Sequence, residues 1–437
     1  MADKQKQFVD WFRQASPYIH AHRGQTFVLS FGGEAVGEPT FRNLIHDIAL
    51  LSSMGIRLVI VPGARPQVEE RLRARNLEMR MKGGIRITDE TTLACVKDAV
   101  GSITIEIMGQ LSRGLANHPA ANARIRVVSG NFVIAKPIGV RNGVDYLYSG
   151  VVRKVEVETI RTRLENGDIL VTPPVGYSPT GECFNLNAHE VATSIASSLG
   201  ADKLIFLLEN KAILDKRGKL VHQLTDTETE QLMQADPELA QRIPELDDAI
   251  TACRGGVRRV HLVDRREDGG LLLELFSRDG IGTMVSANPF DTLRKATIDD
   301  VAGIIELIAP LETDGTLVRR SREKLETEID HFNVLVRDGA IIGCAAIYPY
   351  PSEGLAELAC LAVHPDYRDQ GRGDMLFNNL ETSARQMKLK QMLVLTTQAA
   401  HWFVERGFNE ATIESLPIER KMLYNYQRNS KVFTKKL

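Results

Sequence analysis

Six short aliphatic and aromatic runs punctuate the first 285 residues: FVLSF at 27–31, RLVIVPG at 57–63, RIRVVS at 124–129, DILVTPPVG at 168–176, KLIFLLE at 203–209 and RVHLVD at 259–264. Between them lie segments with apolar residues every three or four positions, the period of a helix with one buried face. NAHEVATSIASSLG shows it clearly, with Val191, Ile195 and Leu199 on one face and Gly200 as the stop. Strands that alternate with helices in this way fold into a mainly parallel sheet covered on both sides, a three-layer αβα sandwich within the α/β class. Binding residues in such a sheet are expected beyond the carboxyl ends of its strands.

The pattern changes near residue 288. SANPFDT (286–292) carries Asn, Pro and Asp without periodicity, so 288–292 is expected to be a linker between a domain of residues 1–287 and one of residues 293–437. In the second domain HFNVLVRDGAIIGCAAIYPY (331–350) reads as two β runs joined by an Asp-Gly turn. The strand ELACLAV (357–363), a helix at 371–388, the strand QMLVLTT (391–397) and a helix near 399–406 follow. That makes a smaller α+β unit. At the other end of the chain an amphipathic helix is expected at 5–22, with Phe8, Trp11, Phe12 and Tyr18 on it.

Composition narrows the partners. A chain of 437 residues with 43% hydrophobic and 25% charged residues is an ordinary globular protein of two domains. Its net charge of −2, with no sustained Lys/Arg stripe, gives nucleic acid no basic surface to bind. The N-terminus MADKQKQFVDWFRQ has no apolar core of a signal peptide, and no apolar run is long enough to span a bilayer, so a cytoplasmic location without membrane contact is expected. The cysteines at 95, 183, 253, 344 and 360 form no CxxC pair and are expected to be reduced core residues, with no metal site.

Two glycine turns carry the chemistry. In ELACLAVHPDYRDQGRGDMLFNNLE (357–381) a strand leads into Gly371 and Gly373 at the start of a helix with Leu376, Leu380, Ala384 and Met387 on one face. Successive N–H groups at the positive end of a helix hold a diphosphate without needing a cation. Residues 293–437 resemble the GNAT acetyltransferase family, through this stretch and through Gly407-Phe408 after a second helix. The resemblance implies that the strand 357–363 splays from the strand 393–397. Pantetheine of acetyl-CoA would then lie in the gap against the amides of Cys360, Leu361, Ala362 and Val363. It also implies a diphosphate site at Arg368, Gln370, Gly371, Arg372 and Gly373. An α-ammonium must lose a proton before it attacks a thioester, and Glu357, one strand step before the gap, is the expected base, acting through a water. The family's usual tyrosine acid is replaced by Phe403 here, which leaves Thr396 as a substitute hydroxyl. Cys360 is a rival nucleophile, disfavoured by its place in the cofactor-gripping strand.

The other turn, TFVLSFGGEAV (26–36), is shaped for phosphate but has Ser30 where a phosphate-handling enzyme needs a fixed cation. Residues 20–285 resemble the amino-acid-kinase family through FVLSFGG, LVIVPGARP, GIRITD and FNLNAHEVATSIASSLGADKLIFL. Phosphoryl transfer in that family relies on charges that stabilise phosphate oxygens. Here those positions hold Ser30, Pro62-Gly63-Ala64-Arg65, His189 and Glu245 or a neighbour. The resemblance thus implies a retired kinase. Its closest branch is arginine-sensitive, and RVHLVDRREDGGLLLELFSRDGIGTMV would supply Glu274 to grip a guanidinium. Gly280 and Gly282 would let the backbone close over it, with His261, Phe276 and Tyr18 lining the pocket. In relatives the N-terminal helix interlaces dimers into a hexamer, so a homohexamer is expected.

In this order the two halves resemble the bacterial N-acetylglutamate synthase family. That likeness assigns the α-carboxylate of L-glutamate to Arg428 and Ser430 in the tail YQRNS (426–430), and its side-chain carboxylate to Leu317 and Arg319. The implied activity is acetyl transfer from acetyl-CoA to L-glutamate by direct attack, the first step of L-arginine synthesis, under feedback by L-arginine. An active acylamino-acid kinase fused to an acetyltransferase, and a non-catalytic arginine sensor, are the alternatives.

Overall fold

The structure, a computed structural model, describes residues 2–113, 125–209, 213–215, 217–277, 279–288, 291–337, 339–368, 371–422, 424 and 430–437. Its contacts divide the chain into two compact units, residues 1–289 and 290–437.

The six apolar runs of the first unit all become strands of one sheet: β1 (Thr26–Phe31), β2 (Arg57–Pro62), β3 (Arg126–Val128), β4 (Asp168–Val171), β5 (Lys203–Leu208) and β7 (Arg259–Asp264). With β6 (Gln223–Thr225) and β8 (Thr283–Ser286) they lie in the order β6-β8-β7-β5-β1-β2-β4-β3. The pairs β7-β5-β1-β2-β4-β3 are parallel, whereas β8 runs antiparallel to β7. Alternate residues of each strand enter different cores. Val28, Val59, Leu204 and Val260 pack on one face and Phe27, Leu29, Ile60 and Ile205 on the other. Burial on both faces is what a sheet sandwiched by helices requires, and it explains why these strands lack polar alternation. A second sheet of four strands is built from Val133–Pro137, Gly150–Val155, Val175–Tyr177 and Cys183–Asn185.

Four longer helices bring side chains to the polar sites of this unit. The first, α1 (Ala2–His22), begins earlier than expected. Ala15 and His22 are buried, while Phe8, Trp11 and Phe12 are 63%, 45% and 52% exposed, an apolar face that the rest of the unit does not cover. The helix α2 (Arg65–Ala74) follows β2, α3 (Ala188–Leu199) precedes β5, and α4 (Glu245–Arg254) precedes β7. Gly200 adopts the left-handed conformation that ends α3, as its sequence position implies. A short helix, α5 (Gly270–Phe276), follows β7 and accepts a hydrogen bond from His22 at Leu275 O, 2.9 Å away.

The second unit is a seven-stranded sheet: β9 (Thr292–Lys295), β10 (Phe332–Arg337), β11 (Ala340–Tyr350), β12 (Leu355–Val363), β13 (Gln391–Thr396), β14 (Asn409–Ala411) and β15 (Lys431–Lys436), in the order β9-β10-β11-β12-β13-β15-β14. All pairings are antiparallel except β12 with β13. Thr292, expected to be the last linker residue, is already paired with Val336. The helices include α6 (Val301–Thr313), α7 (Arg372–Gln386), α8 (Ala400–Val404) and α9 (Ile418–Met422), with a further short helix at Arg322–Glu328. Core residues lie on both faces of the sheet: Leu376, Leu380 and Ala384 of α7 join one cluster, and Ile304 and Ile308 of α6 join another.

Candidate active site

The one parallel pair in the second sheet is where the ladder fails. β12 and β13 pair from Leu355/Gln391 to Leu358/Val394, yet β12 continues to Val363. On its other side β12 stays paired with β11, through a bulge where the register shifts between Cys344 and Ala346. Cys360 sits in that bulge at φ 53, the left-handed region that a side chain rarely adopts. An extra residue in one strand bends it and re-aims its peptide groups. A strand that leaves its neighbour while staying bonded on its far edge presents N–H groups into the opening. The gap expected beside Cys360, Leu361, Ala362 and Val363 is therefore a feature of the fold.

The strand then delivers a glycine turn. Gly371, at φ 76, is the N-cap of α7. Gly373 has a different reason to lack a side chain: a Cβ there would lie 3.3 Å from the Trp402 ring. Trp402 in turn carries the Arg406 guanidinium 3.6 Å above its ring, and Arg406 Nε donates to Asp374 Oδ1 at 2.5 Å. The acidic residue in the first turn of this helix is thereby paired with a cation. Arg368 Nε donates to Val363 O at 3.2 Å, and its side chain is exposed. Arg372 does something else. Its side chain is 6% exposed, its Nε donates to Asp291 Oδ2 at 2.7 Å, and its guanidinium lies 5.1 Å from the Tyr367 ring, with Arg337 at 5.0 Å from the same ring. The guanidinium of Arg372 is thus a buried strut, and the group of this residue expected at the diphosphate is its backbone amide. Gln370 lies outside the described residues.

Glu357 is buried in β12, its side chain 7% exposed. It is not alone there. Arg420 of α9 directs Nε to both carboxylate oxygens, at 3.0 and 2.7 Å, and the Tyr350 hydroxyl lies 3.4 Å from Oε2. No motif in the sequence marks Arg420, and it is absent from the expected site. Thr396, at the end of β13, accepts N–H bonds from Gln398 at 3.3 Å and Ala399 at 2.9 Å. A hydroxyl keeps one donor when its oxygen accepts, so Thr396 still has a proton to give. Phe403 is a buried ring stacked edge-on against Trp402 and Phe408 and has no polar role.

On the α6 face, Leu317 N bonds to Leu311 O at 2.7 Å, forming the turn that sets the next residues. Arg319 is exposed and Arg320 is the one turned inward. Burial works against the charge of the Arg320 guanidinium, but Cys360, Tyr348 and Glu328 around it outweigh this and raise its pKa. Tyr348 donates to Glu328 at 2.6 Å. Cys360 packs with Val334, Cys344 and Ala346 in the core on this face, where the Cys344 hydrogen bond and the Arg320 charge outweigh burial and hold its thiol below the usual cysteine range. Ser430 O accepts from the Tyr424 hydroxyl at 2.7 Å, while Arg428 lies outside the described residues.

In the first unit the substituted kinase positions converge. Ser30, Gly33, Arg65, Asn187, His189 and Glu245 line one cavity of about 560 Å³ at the carboxyl ends of β1 and β2. His189 Nε2 lies 3.6 Å from Glu245, and its Nδ1 lies 3.9 Å from Asp248, a carboxyl that burial pushes up to about 6. Glu245, Asp248 and the His189 imidazole share the lining of this cavity with Arg65 and Arg86.

The residues expected to hold arginine also gather, but their polar groups are already engaged. Glu274, 8% exposed, accepts from His261 Nδ1 at 2.6 Å and from the N–H groups of Ile281 and Gly282 at 2.8 Å each. A Cβ on Gly280 would lie 2.3 Å from its carboxylate, so only glycine fits that turn. His261 Nε2 is 3.3 Å from Lys203 Nζ, a buried lysine missed in the sequence although it is the one charge opening the apolar run LIFLL. An ammonium has no acceptor, so the partners assign the tautomer: Nε2 accepts from Lys203 and Nδ1–H donates to Glu274. Burial and Lys203 keep His261 below its ordinary pKa, hence neutral. Burial works to raise the Glu274 pKa, but its hydrogen bonds outweigh this and hold it below the usual carboxylate range. Phe276 and His22 stack edge-on at 5.6 Å, and Tyr18 lies 6.3 Å from His22.

Matches to known families agree with this geometry. The amino acid kinase family profile matches residues 25–264, and the acetyltransferase (GNAT) family profile matches residues 302–408. The chain is therefore an acyltransferase with acetyl-CoA as its donor, joined in one polypeptide to a kinase-like unit. The amino-acid acetyltransferases of Ralstonia nicotianae and Pseudomonas fluorescens strain Pf0-1 are 49% and 51% identical to it, over 99% of this chain and 96% and 100% of theirs. N-acetylglutamate synthase from Neisseria gonorrhoeae, complexed with coenzyme A and L-arginine, matches with a TM-score of 0.88 at 37% identity, covering 98% of this chain and 99% of that one. The same enzyme complexed with coenzyme A and N-acetyl-glutamate matches with a TM-score of 0.63 at the same identity and coverage. The chain belongs to the N-acetylglutamate synthase family of amino-acid acetyltransferases.

Proposed function

We propose that the chain acetylates the α-amine of L-glutamate by direct attack in a ternary complex, and that L-arginine regulates it through the kinase-like unit. The parting of β12 from β13 carries the reading, because it opens a row of peptide N–H groups one step beyond a buried carboxylate. In this scheme an amide at the bulge polarises the thioester carbonyl, where charge develops in the transition state. Glu357 takes the amine's proton through a water. The amine lone pair forms the C–N bond as the C–S bond breaks, and Thr396 donates its hydroxyl proton to the departing thiolate. Amides from Arg368 to Gly373 hold the diphosphate. Leu317, Arg319, Arg428 and Ser430 position the acceptor's carboxylates, with the inward-facing Arg320 as the better-placed cation beside Cys360.

Regulation rests on Tyr18, His261, Glu274, Phe276, Gly280 and Gly282. For a guanidinium to reach Glu274 it must replace the His261 bond or open the 280–282 turn, so effector binding is coupled to a change in the unit's own bonds. Pairing of the exposed Phe8, Trp11 and Phe12 face between copies would supply the expected homohexamer. We place the reaction in the cytoplasm, at the entry to arginine synthesis. The alternative of an active kinase is opposed by Ser30, His189 and Glu245 in one cavity. Initial-rate thiol release across a panel of amino acids, with and without arginine, tests all of this. Release should be fastest with glutamate and change with arginine. Inertness toward glutamate, or ATP-dependent phosphorylation of N-acetylglutamate, would overturn the assignment.

A further inference from the structure

Glu357 and Arg420 form a two-charge template. The carboxylate is buried, while the guanidinium side chain, 23% exposed, caps it from the solvent side. Among the described residues Arg420 uses only Nε–H, on Glu357. A guanidinium has five N–H donors in a rigid fork, so the Nη edge is left to bind a second carboxylate. Its helix is otherwise anchored near the surface: Lys421 pairs with Glu414 at 2.6 Å, and Ile418 N lies 3.4 Å from Glu353 Oε1. Ile418 and Met422 on either side are 70% and 78% exposed. The contact with Glu357 is thus the buried polar anchor of α9, and it falls on the carboxylate that the reaction needs.

An α-amino acid arrives as a zwitterion. Its ammonium and carboxylate, on the same carbon, are the mirror of the protein's carboxylate and guanidinium. Laid side by side, the four charges alternate in sign, with the amine facing Glu357 across the proton-relaying water and the α-carboxylate against Arg420. No ion is left unpaired in the process, which removes the largest cost of bringing charges into a buried site. The distal carboxylate of glutamate, several bonds from the amine, cannot reach both groups in this way.

We infer that Arg420 is a further ligand for the acceptor's α-carboxylate, added to Arg428 and Ser430, and so a specificity-determining residue that orients the amine toward Glu357. The inference rests on the reading of Glu357 as the base and glutamate as the acceptor. Thiol release is measured with L-glutamate, and 4-aminobutyrate, which keeps the distal carboxylate but lacks the α-carboxylate, is used both as an acceptor and as a competitor against glutamate. Arg420→Gln should raise KM for glutamate by at least about tenfold, the loss of one charge-assisted fork contact, with kcat changed far less. The inhibition constant of 4-aminobutyrate should stay within about threefold, since that molecule never used the contact. Arg420→Lys, which restores the charge without the fork, should recover part of the KM and also serves if the glutamine variant does not fold. An unchanged KM for glutamate, or equal weakening of glutamate and 4-aminobutyrate, overturns the inference and makes Arg420 a prop for Glu357. Failure of the wild-type chain to use glutamate at all would instead remove the proposed function.

Discussion

Removing the Glu274 carboxylate should unsettle the kinase-like unit itself, whether or not arginine is present. Three donors converge on that side chain: the His261 ring N–H and the backbone N–H groups of Ile281 and Gly282. Glu274→Ala leaves them without an acceptor where water has little access. An orphaned buried donor costs about 1–3 kcal/mol, so the three together, with part relieved by relaxation of the 280–282 turn, come to about 3–5 kcal/mol. In a unit of this size that corresponds to a fall in melting temperature of roughly 6–15 °C, read by calorimetry at pH 7.5 without ligand. Glu274→Gln keeps one acceptor oxygen but turns an NH2 group toward donors, and should fall between the two. The effect has a pH signature. Since the folded carboxyl lies below its ordinary pKa, its contribution is fully present above about 4.3 and is lost as pH falls through the folded value. The gap between wild type and alanine variant should therefore narrow in acid. A group held ready only for a ligand behaves differently, because its removal relieves desolvation and leaves the free protein as stable as before. A loss below about 1 kcal/mol for Glu274→Ala would refute the view that this residue is part of the frame.

The same geometry sets the outcome of other perturbations. Burial, with Lys203 nearby, pushes the His22 pKa down to about 4. Unfolded chains take up that proton near 6.5 while the native state refuses it, so stability is full above 6.5 and declines as pH falls toward 4, by at most about 3 kcal/mol. His22→Gln should flatten that decline in unfolding curves compared between pH 7.5 and 5. Glu357→Gln should lower kcat by about a hundredfold or more while coenzyme A affinity, measured by calorimetry, stays nearly intact; equal loss of both removes Glu357 from the base role. Gly371→Ala forces a side chain into φ 76 and should cost about 1–2 kcal/mol along with weaker coenzyme binding, seen in melting and titration. Gly373→Ala should be milder, because its new methyl meets only the edge of Trp402.

What could be read from the chain alone depended on how far each signal reaches. Five of the six apolar runs of the large sheet were legible because burial on both faces writes itself into four to six consecutive residues, while the edge strand Arg126–Val128 keeps only three. The short strands Gln223–Thr225, at the sheet edge, and Thr283–Ser286, next to it, were not, since three or four residues carry no period. Gly280 and Gly371 announced tight turns by composition, and the structure gives the reason at each. Of Arg319 and Arg320, adjacent and chemically identical, only the turn set by Leu317 on Leu311 decides which points inward. The polar partners were the least visible. Lys203 is 58 residues from His261 and Arg420 is 63 from Glu357, and no local pattern marks either pair.

That blindness has a physical source, and it bears on how the two sites work. A catalytic or effector carboxylate attracts attention in a sequence as a group waiting for a ligand, whereas a buried anion cannot wait: its desolvation must be offset in the free protein by donors from its own chain. Glu274 meets this with a neutral histidine wired to Lys203 and with two peptide N–H groups, Glu357 with the Arg420 guanidinium and the Tyr350 hydroxyl. The difference predicts different behaviour. On the proposed reading, a guanidinium at Glu274 would compete with bonds built into the sheet and turn, so its binding would shift the 280–282 turn. A ligand at Glu357 adds its zwitterion alongside a surface-mounted arginine and leaves the sheet where it was, as repeated turnover requires. Hydrogen exchange separates the cases: arginine should change protection of the Ile281 and Gly282 amides, whereas glutamate should leave the Glu357 strand unaltered and protect α9. Unchanged protection at 281–282 under saturating arginine would show that the effector binds without breaking the Glu274 network, and the coupling argued from it would fail.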